Sequence, residues 1–136
     1  MNASSRPLRV LVLEDEPIIA LDIEGILTDA GFDVLANLST CAGAMEWLKA
    51  NRADVAVLDI DLQDGSCAHV ARRLNELGVP FVVFSGSSAT DGTIDPVFHV
   101  GRWLGKPAPS EMVVAAVLAA HSAKQPGLTV AGKLAS

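Results

Sequence analysis

Four short apolar runs in this chain each end in a group that can do chemistry. Leu8–Leu13 runs into Glu14-Asp15-Glu16, Val55–Leu58 into Asp59, Phe81–Phe84 into Ser85-Gly86, and Trp103-Leu104-Gly105 into Lys106-Pro107. Runs this short, closed by turn residues such as Gln63-Asp64-Gly65, read as buried strands of a parallel sheet. Ligands of open α/β sheets bind just beyond the carboxyl ends of the strands. Carboxylates, a hydroxyl and an ammonium would then converge on one rim.

Asp15 and Asp59, helped by Glu14, would form a pocket of oxygen ligands suited to a hard cation such as Mg²⁺. Without an ion the carboxylates repel: a pair near 4 Å costs about 4 kcal/mol at an effective dielectric of 20. A carboxylate beside Mg²⁺ can attack phosphorus as a nucleophile and give an aspartyl phosphate, provided the donor is itself a high-energy phosphoryl compound. Asp59 is the candidate nucleophile. Lys106 would offer a point charge to the phosphoryl oxygens and Ser85 a hydroxyl donor, with Gly86 leaving room for the incoming group. A cis Lys106-Pro107 bond would aim the ammonium back into the site, although most X–Pro bonds are trans. Plainer readings exist for each residue alone. Asp15 could cap the first helix, Glu14 and Glu16 could complement its dipole, Ser85 could be a turn residue and Lys106 a surface lysine. Their joint position at four successive strand ends favours the shared site.

The intervening segments have the patterns needed to position these groups. Strands are expected at Leu8–Leu13, Asp33–Leu38, Val55–Leu58, Phe81–Phe84 and Trp103–Gly105. Helices are expected at Pro17–Ala30, closed by Gly31, from a cap near Ser39 or Thr40 to about Asn51, at Ser66–Leu77, closed by Gly78, and from Pro109 to near Ser122. Ile19, Ile23, Ile26, Leu27 and Ala30 share one face of the first helix. The pattern is (βα)₅ with one gap. Between Ser85 and Trp103 two interior glycines and a proline stand among Ser and Thr, which predicts a loop with at most one helical turn. The division expected is an N-terminal extension over 1–5, one domain over 6–122 and a tail over 123–136, the tail being too short for an output domain.

Composition narrows the function. A net charge of −6 with ten scattered basic residues argues against a nucleic-acid surface. The longest apolar run, residues 112–120, is too short to span a bilayer, which takes about 20 residues. No signal peptide is recognisable, and Cys41 and Cys67 lack metal-ligand spacing, so both are expected to be free thiols of a cytoplasmic protein. His69, His99 and His121 occur singly and read as surface or helix-end residues, while Met45 and Trp47 read as packing. The last helix is apolar on every side, and the first carries Ile18 and Leu21 off its core face. These strips are the expected contact surfaces, the first helix for a kinase and the last for a homodimer.

Glu14-Asp15, Asp59, Ser85 and Lys106-Pro107, in this order and spacing, resemble the receiver domain of two-component response regulators. The resemblance covers residues 6–122. It implies a flavodoxin-like three-layer sandwich with parallel strand order 2-1-3-4-5, and phosphoryl transfer from a sensor histidine kinase to Asp59. It further implies Mg²⁺ held by Asp15, Asp59 and the backbone carbonyl of Asp61, with Ser85 and Lys106 reorienting on phosphorylation. Trp103 stands where ordinary receivers carry a Tyr or Phe that rotates on activation, which makes it a candidate switch. The degenerate fourth helix and Val79–Gly86 resemble the single-domain receivers of the FAT GUY group, which implies a kinase of the HWE type as partner. The Asp61 side chain adds a negative charge at the rim.

Two other readings fit parts of the sequence. Asp59-Ile60-Asp61 resembles the nucleophile and acid of haloacid-dehalogenase phosphohydrolases, but that family expects further carboxylates after the lysine, and only Glu111 follows Lys106. A phosphate-independent binding module is the third reading. The expected function is thus that of a phosphoacceptor rather than an enzyme, signalling by protein contact or acting as a phosphate sink.

Overall fold

The computed structural model describes residues 6–124. Its elements are β1 (Arg9–Leu13), α1 (Pro17–Asp29), β2 (Asp33–Leu38), α2 (Cys41–Ala50), β3 (Val55–Leu58), β4 (Asp61–Leu62), β5 (Gly65–Ser66), α3 (Ala68–Glu76), β6 (Phe81–Ser85), β7 (Arg102–Gly105) and α4 (Ser110–Lys124). Five strands form one parallel sheet in the order β2-β1-β3-β6-β7. Counted along the main sheet alone, this is the expected order 2-1-3-4-5.

Side chains alternate across the sheet and divide the core in two. Val10, Val12, Val55, Val57, Val82 and Phe84 face Ile23 and Leu27 of α1 and Val113 and Val117 of α4. Leu11, Leu13, Ala56, Leu58, Phe81 and Val83 face the opposite way, against Ala44 and Leu48 of α2, Val70 and Leu74 of α3, and Phe98. The result is a three-layer sandwich whose central strands are buried on both faces. Met45 and Trp47 pack against the second of these clusters, as expected.

Helix ends follow the punctuation in the sequence. Pro17 opens α1. Gly31 closes it with φ 94°, in the left-handed region that a side chain would disfavour. Thr40 caps α2, its hydroxyl accepting from the Gly43 N–H at 3.0 Å. Ala30, expected on the core face of α1, is exposed because the helix has already ended at its position. The third helix starts later than expected. Gly65-Ser66 pairs antiparallel with Asp61-Leu62 in a two-residue ladder, and Gly65 turns with φ 116°, so Ser66 belongs to a hairpin rather than to α3. At the other end α4 continues to Lys124, two residues into the segment expected as tail. The expected extension 1–5 and the rest of the tail lie outside the described residues.

No α-helix occupies the segment between β6 and β7. It contains a single 3-10 turn over Pro96–Val100, capped by Asp95, whose carboxylate accepts from the Val97 N–H at 2.9 Å. Phe98 anchors this turn, fully buried against the sheet. Among the described residues no helix is long and apolar enough to cross a membrane.

Candidate functional site

Parallel pairing places the site residues side by side. Leu13 is in register with Leu58, so Glu14 and Asp59, the next residues, leave adjacent strands together, and the Asp59 N–H donates to the Leu13 carbonyl at 3.1 Å. Ser85 is in register with Gly105, and the Lys106 N–H donates to the Ser85 carbonyl at 2.9 Å. The Lys106-Pro107 bond is cis.

The Lys106 ammonium donates to Asp59 Oδ2 at 2.8 Å and lies 2.9 Å from Glu14 Oε1. It also stands over the Phe84 ring, 5.6 Å from the centroid. Oxygens of Glu14, Asp15 and Asp59 lie within 4.8 Å of one another. Asp15 does not cap α1: the residue before the helix is Glu16, which makes no side-chain cap bond. Glu14 serves the helix entry instead, its second oxygen accepting from the Glu16 N–H at 3.2 Å. Asp59 Oδ1 accepts from the N–H of Ile60 at 2.7 Å.

Three carboxylates thus face one ammonium, leaving an excess of two negative charges if all are ionised. Burial and the lysine contacts set the proton affinities of Glu14 and Lys106. Burial pushes Glu14, whose side chain is 1% exposed, above the usual carboxylate range, although the contacts with Lys106 and the Glu16 N–H pull the other way. Burial alone would lower Lys106, but the hydrogen bonds and charges of Asp59 and Glu14 outweigh it and hold the ammonium above the usual lysine value. An all-oxygen donor set with two surplus charges fits a hard divalent cation such as Mg²⁺.

Ser85 is buried at the same rim, and its hydroxyl oxygen accepts from the Ser87 N–H at 3.1 Å. Trp103 does not join the acidic cluster directly. Its ring stacks on His99 with centroids 5.5 Å apart, and its indole N–H donates to the Ser87 carbonyl at 3.2 Å. Ser87 therefore stands between Ser85 and Trp103. Nothing in the apolar pattern singles it out, because its contribution is made entirely by backbone groups. Asp61 lies on the exposed face of the β4–β5 hairpin, two residues after Asp59. Another residue missed in the sequence is Asp64. Its carboxylate accepts from the N–H groups of Cys41 and Ala42 at 2.7 and 3.0 Å, capping α2 from a distant loop and holding the carboxyl below its usual range. A cap supplied across the fold leaves no local sequence signal.

Comparisons with known proteins show the family. The family model for the response regulator receiver domain matches residues 10–117, and the chain belongs to that family. A response regulator receiver protein from Sinorhizobium medicae superposes with a TM-score of 0.73 at 33% identity, over 89% of this chain and 99% of that one. SdrG from Sphingomonas melonis superposes with a TM-score of 0.72 at 31% identity, over 86% and 98% respectively. Among curated proteins, the transcriptional regulatory protein DltR of Streptococcus agalactiae is 33% identical over 85 residues, 61% of this chain and 38% of its own length. The probable transcriptional regulatory protein TcrX of Mycobacterium tuberculosis is 28% identical over 95 residues, 68% and 40%. The chain spans about two fifths of the length of these curated relatives. It is a two-component phosphoacceptor domain of flavodoxin-like fold.

Proposed function

We propose that Asp59 accepts a phosphoryl group from the phosphohistidine of a sensor kinase, with Ser85 and Lys106 as the groups that receive the phosphoryl oxygens. The observation that carries this reading is the 2.8 Å contact of the Lys106 ammonium with Asp59 beside two further carboxylates. A carboxylate oxygen of Asp59 forms the new P–O bond as the P–N bond to imidazole breaks, and the departing imidazole takes up a proton. Lys106 then has a phosphoryl oxygen to hold in exchange for the carboxylate. Ser85 accepts from Ser87 and still has its hydroxyl hydrogen to donate. Glu14, Asp15, Asp59 and the Asp61 carbonyl would hold Mg²⁺, which would supply charge neutralisation for the incoming phosphoryl oxygens.

The route out of the site runs through Ser87. A shift of Ser85 toward the phosphoryl group acts on the Ser87 N–H, and the Ser87 carbonyl holds the Trp103 indole. Trp103 is the switch in this reading. In a Trp47→Phe background its fluorescence changes on phosphorylation, and an unchanged spectrum removes Trp103 from the mechanism.

Domain 6–122 carries this function in the cytoplasm, by protein contact or as a phosphate sink. The kinase, of the HWE type, docks on α1, where Ile18 and Leu21 are 84% and 72% exposed and contribute little to the core. Phosphotransfer profiling against purified sensor kinases tests the proposal. Rapid transfer is expected from one kinase or a few, HWE-type members among them, with none to Asp59→Asn. Leu21→Asp is expected to slow transfer from the preferred kinase at least tenfold while leaving labelling by a small phosphoryl donor unchanged. Absence of transfer from every kinase contradicts the kinase assignment, and transfer from other classes only contradicts the HWE type.

A further inference from the structure

The sulfurs of Cys41 and Cys67 lie 2.9 Å apart in the interior. Cys41 is the first residue of α2 and Cys67 stands immediately before α3. Both are free thiols, 2% and 0% exposed. Neither backbone is loose. The Cys41 N–H donates to Asp64 at 2.7 Å, the Cys67 N–H donates to the Ile60 carbonyl at 2.7 Å, and Cys41 Sγ lies 3.5 Å from the carbonyls of both Gly65 and Ser66. The pair therefore sits where the start of α2 meets the loop that follows Asp59. A disulfide bond is about 2.05 Å long, so the sulfurs need to approach by less than about 1 Å.

We propose that Cys41 and Cys67 are a modification site, a thiol pair that a small hydroperoxide converts to a reversible intramolecular disulfide. Cys41, the residue of the two that retains any exposure, attacks the peroxide through its sulfur. An S–O bond forms as the O–O bond breaks, giving a sulfenic acid and, from hydrogen peroxide, water. The Cys67 sulfur then attacks the sulfenic sulfur. The S–S bond forms, the S–O bond breaks, and hydroxide leaves as water with the Cys67 thiol proton. In sum two thiols and one peroxide give one disulfide and two waters, the two sulfurs supplying the two electrons that reduce the peroxide. Burial raises both thiols above the usual cysteine value, and the Asp64 charge adds to this, so the thiolate is scarce and the reaction slow. Bulky oxidants are excluded by the same burial.

The product ties together residues 26 positions apart and fixes the β4–β5 hairpin to the α2 terminus. A cross-link of that span raises the melting temperature by roughly 10 °C. The test uses the full chain, purified under reduction, freed of reductant and incubated with hydrogen peroxide near about pH 8.5, where more thiolate is available. Expected are a mass lower by about 2 Da, the two thiol hydrogens, a peptide pair joining Cys41 to Cys67, a higher melting temperature, and recovery of both thiols with dithiothreitol. Cys41→Ser and Cys67→Ser are expected to show neither the linked peptides nor the thermal gain. Both thiols persisting after hours in the wild-type chain, oxygen addition that dithiothreitol does not reverse, or disulfides only between chains would each overturn the proposal. No phosphoryl chemistry enters these readouts, so failure of the Asp59 assignment leaves the result interpretable.

Discussion

At the scale of single residues, the acidic cluster trades stability for ion binding. Glu14 and Asp59 share the Lys106 ammonium, whereas Asp15 joins the same oxygen cluster as an additional negative charge. Asp15→Asn removes that charge and leaves the lysine contacts in place. We expect the variant to be more stable than wild type without metal by about 1 kcal/mol, the surrounding water having screened most of the repulsion. Saturating Mg²⁺ should raise wild-type stability by about 3 kcal/mol at a hundredfold excess over Kd and Asp15→Asn by much less. Thermal melts with and without Mg²⁺ check both statements, and a variant less stable than wild type in metal-free buffer contradicts the repulsion argument. The convergence of Glu14, Asp59, Ser85 and Lys106 was legible at this scale because each stands at the end of a strand. Ser87 and Asp64 were not, since one acts through its backbone and the other caps a helix it does not precede.

Elements hold the site by pairing and by a few polar anchors at the opposite end of the sheet. Asp54, just before β3, accepts from the backbone N–H of Arg9 at 2.8 Å and from its guanidinium at 3.4 Å. Burial would raise this carboxyl, but the Arg9 hydrogen bonds and charge outweigh it and hold it below the usual aspartate value. A depressed folded-state value contributes stability above the unfolded value, near about 3.9, and loses it as pH falls through the folded value. Asp54→Asn should therefore cost about 1 kcal/mol near neutrality, and the gap should close below about pH 4. Urea titrations across pH measure it, and a gap that widens on acidification contradicts the assignment. Strands and helices were legible from apolar period and from Pro17, Gly31 and Gly78. The β4–β5 hairpin was not, because two residues per strand are too few to carry a pattern, and its turn glycine also suits a loop. The lack of an α-helix between β6 and β7 was readable from the glycines and proline there, but the anchoring of that segment by Phe98 depends on packing that only the folded sheet provides.

Across the whole molecule, one end of the sheet gathers the carboxylate cluster and Lys106, while α1 and α4 present apolar side chains to solvent. Ile18 and Leu21 dominate the outer side of α1, and Met112 and Leu118, each about half exposed, that of α4. We propose that α4 mediates homodimer formation, and light scattering over a concentration series should show a rising mass, whereas monomer throughout contradicts it. The central claim concerns the other end of the fold: that Asp59, with Lys106 and the neighbouring carboxylates, captures a phosphoryl group. Intact-mass measurement after incubation with acetyl phosphate and Mg²⁺ tests it most directly. A single gain of about 80 Da, one phosphoryl group, that disappears when Mg²⁺ is chelated and in Asp59→Asn is expected. An unchanged mass in the wild-type chain, or a gain that survives in Asp59→Asn, would contradict it.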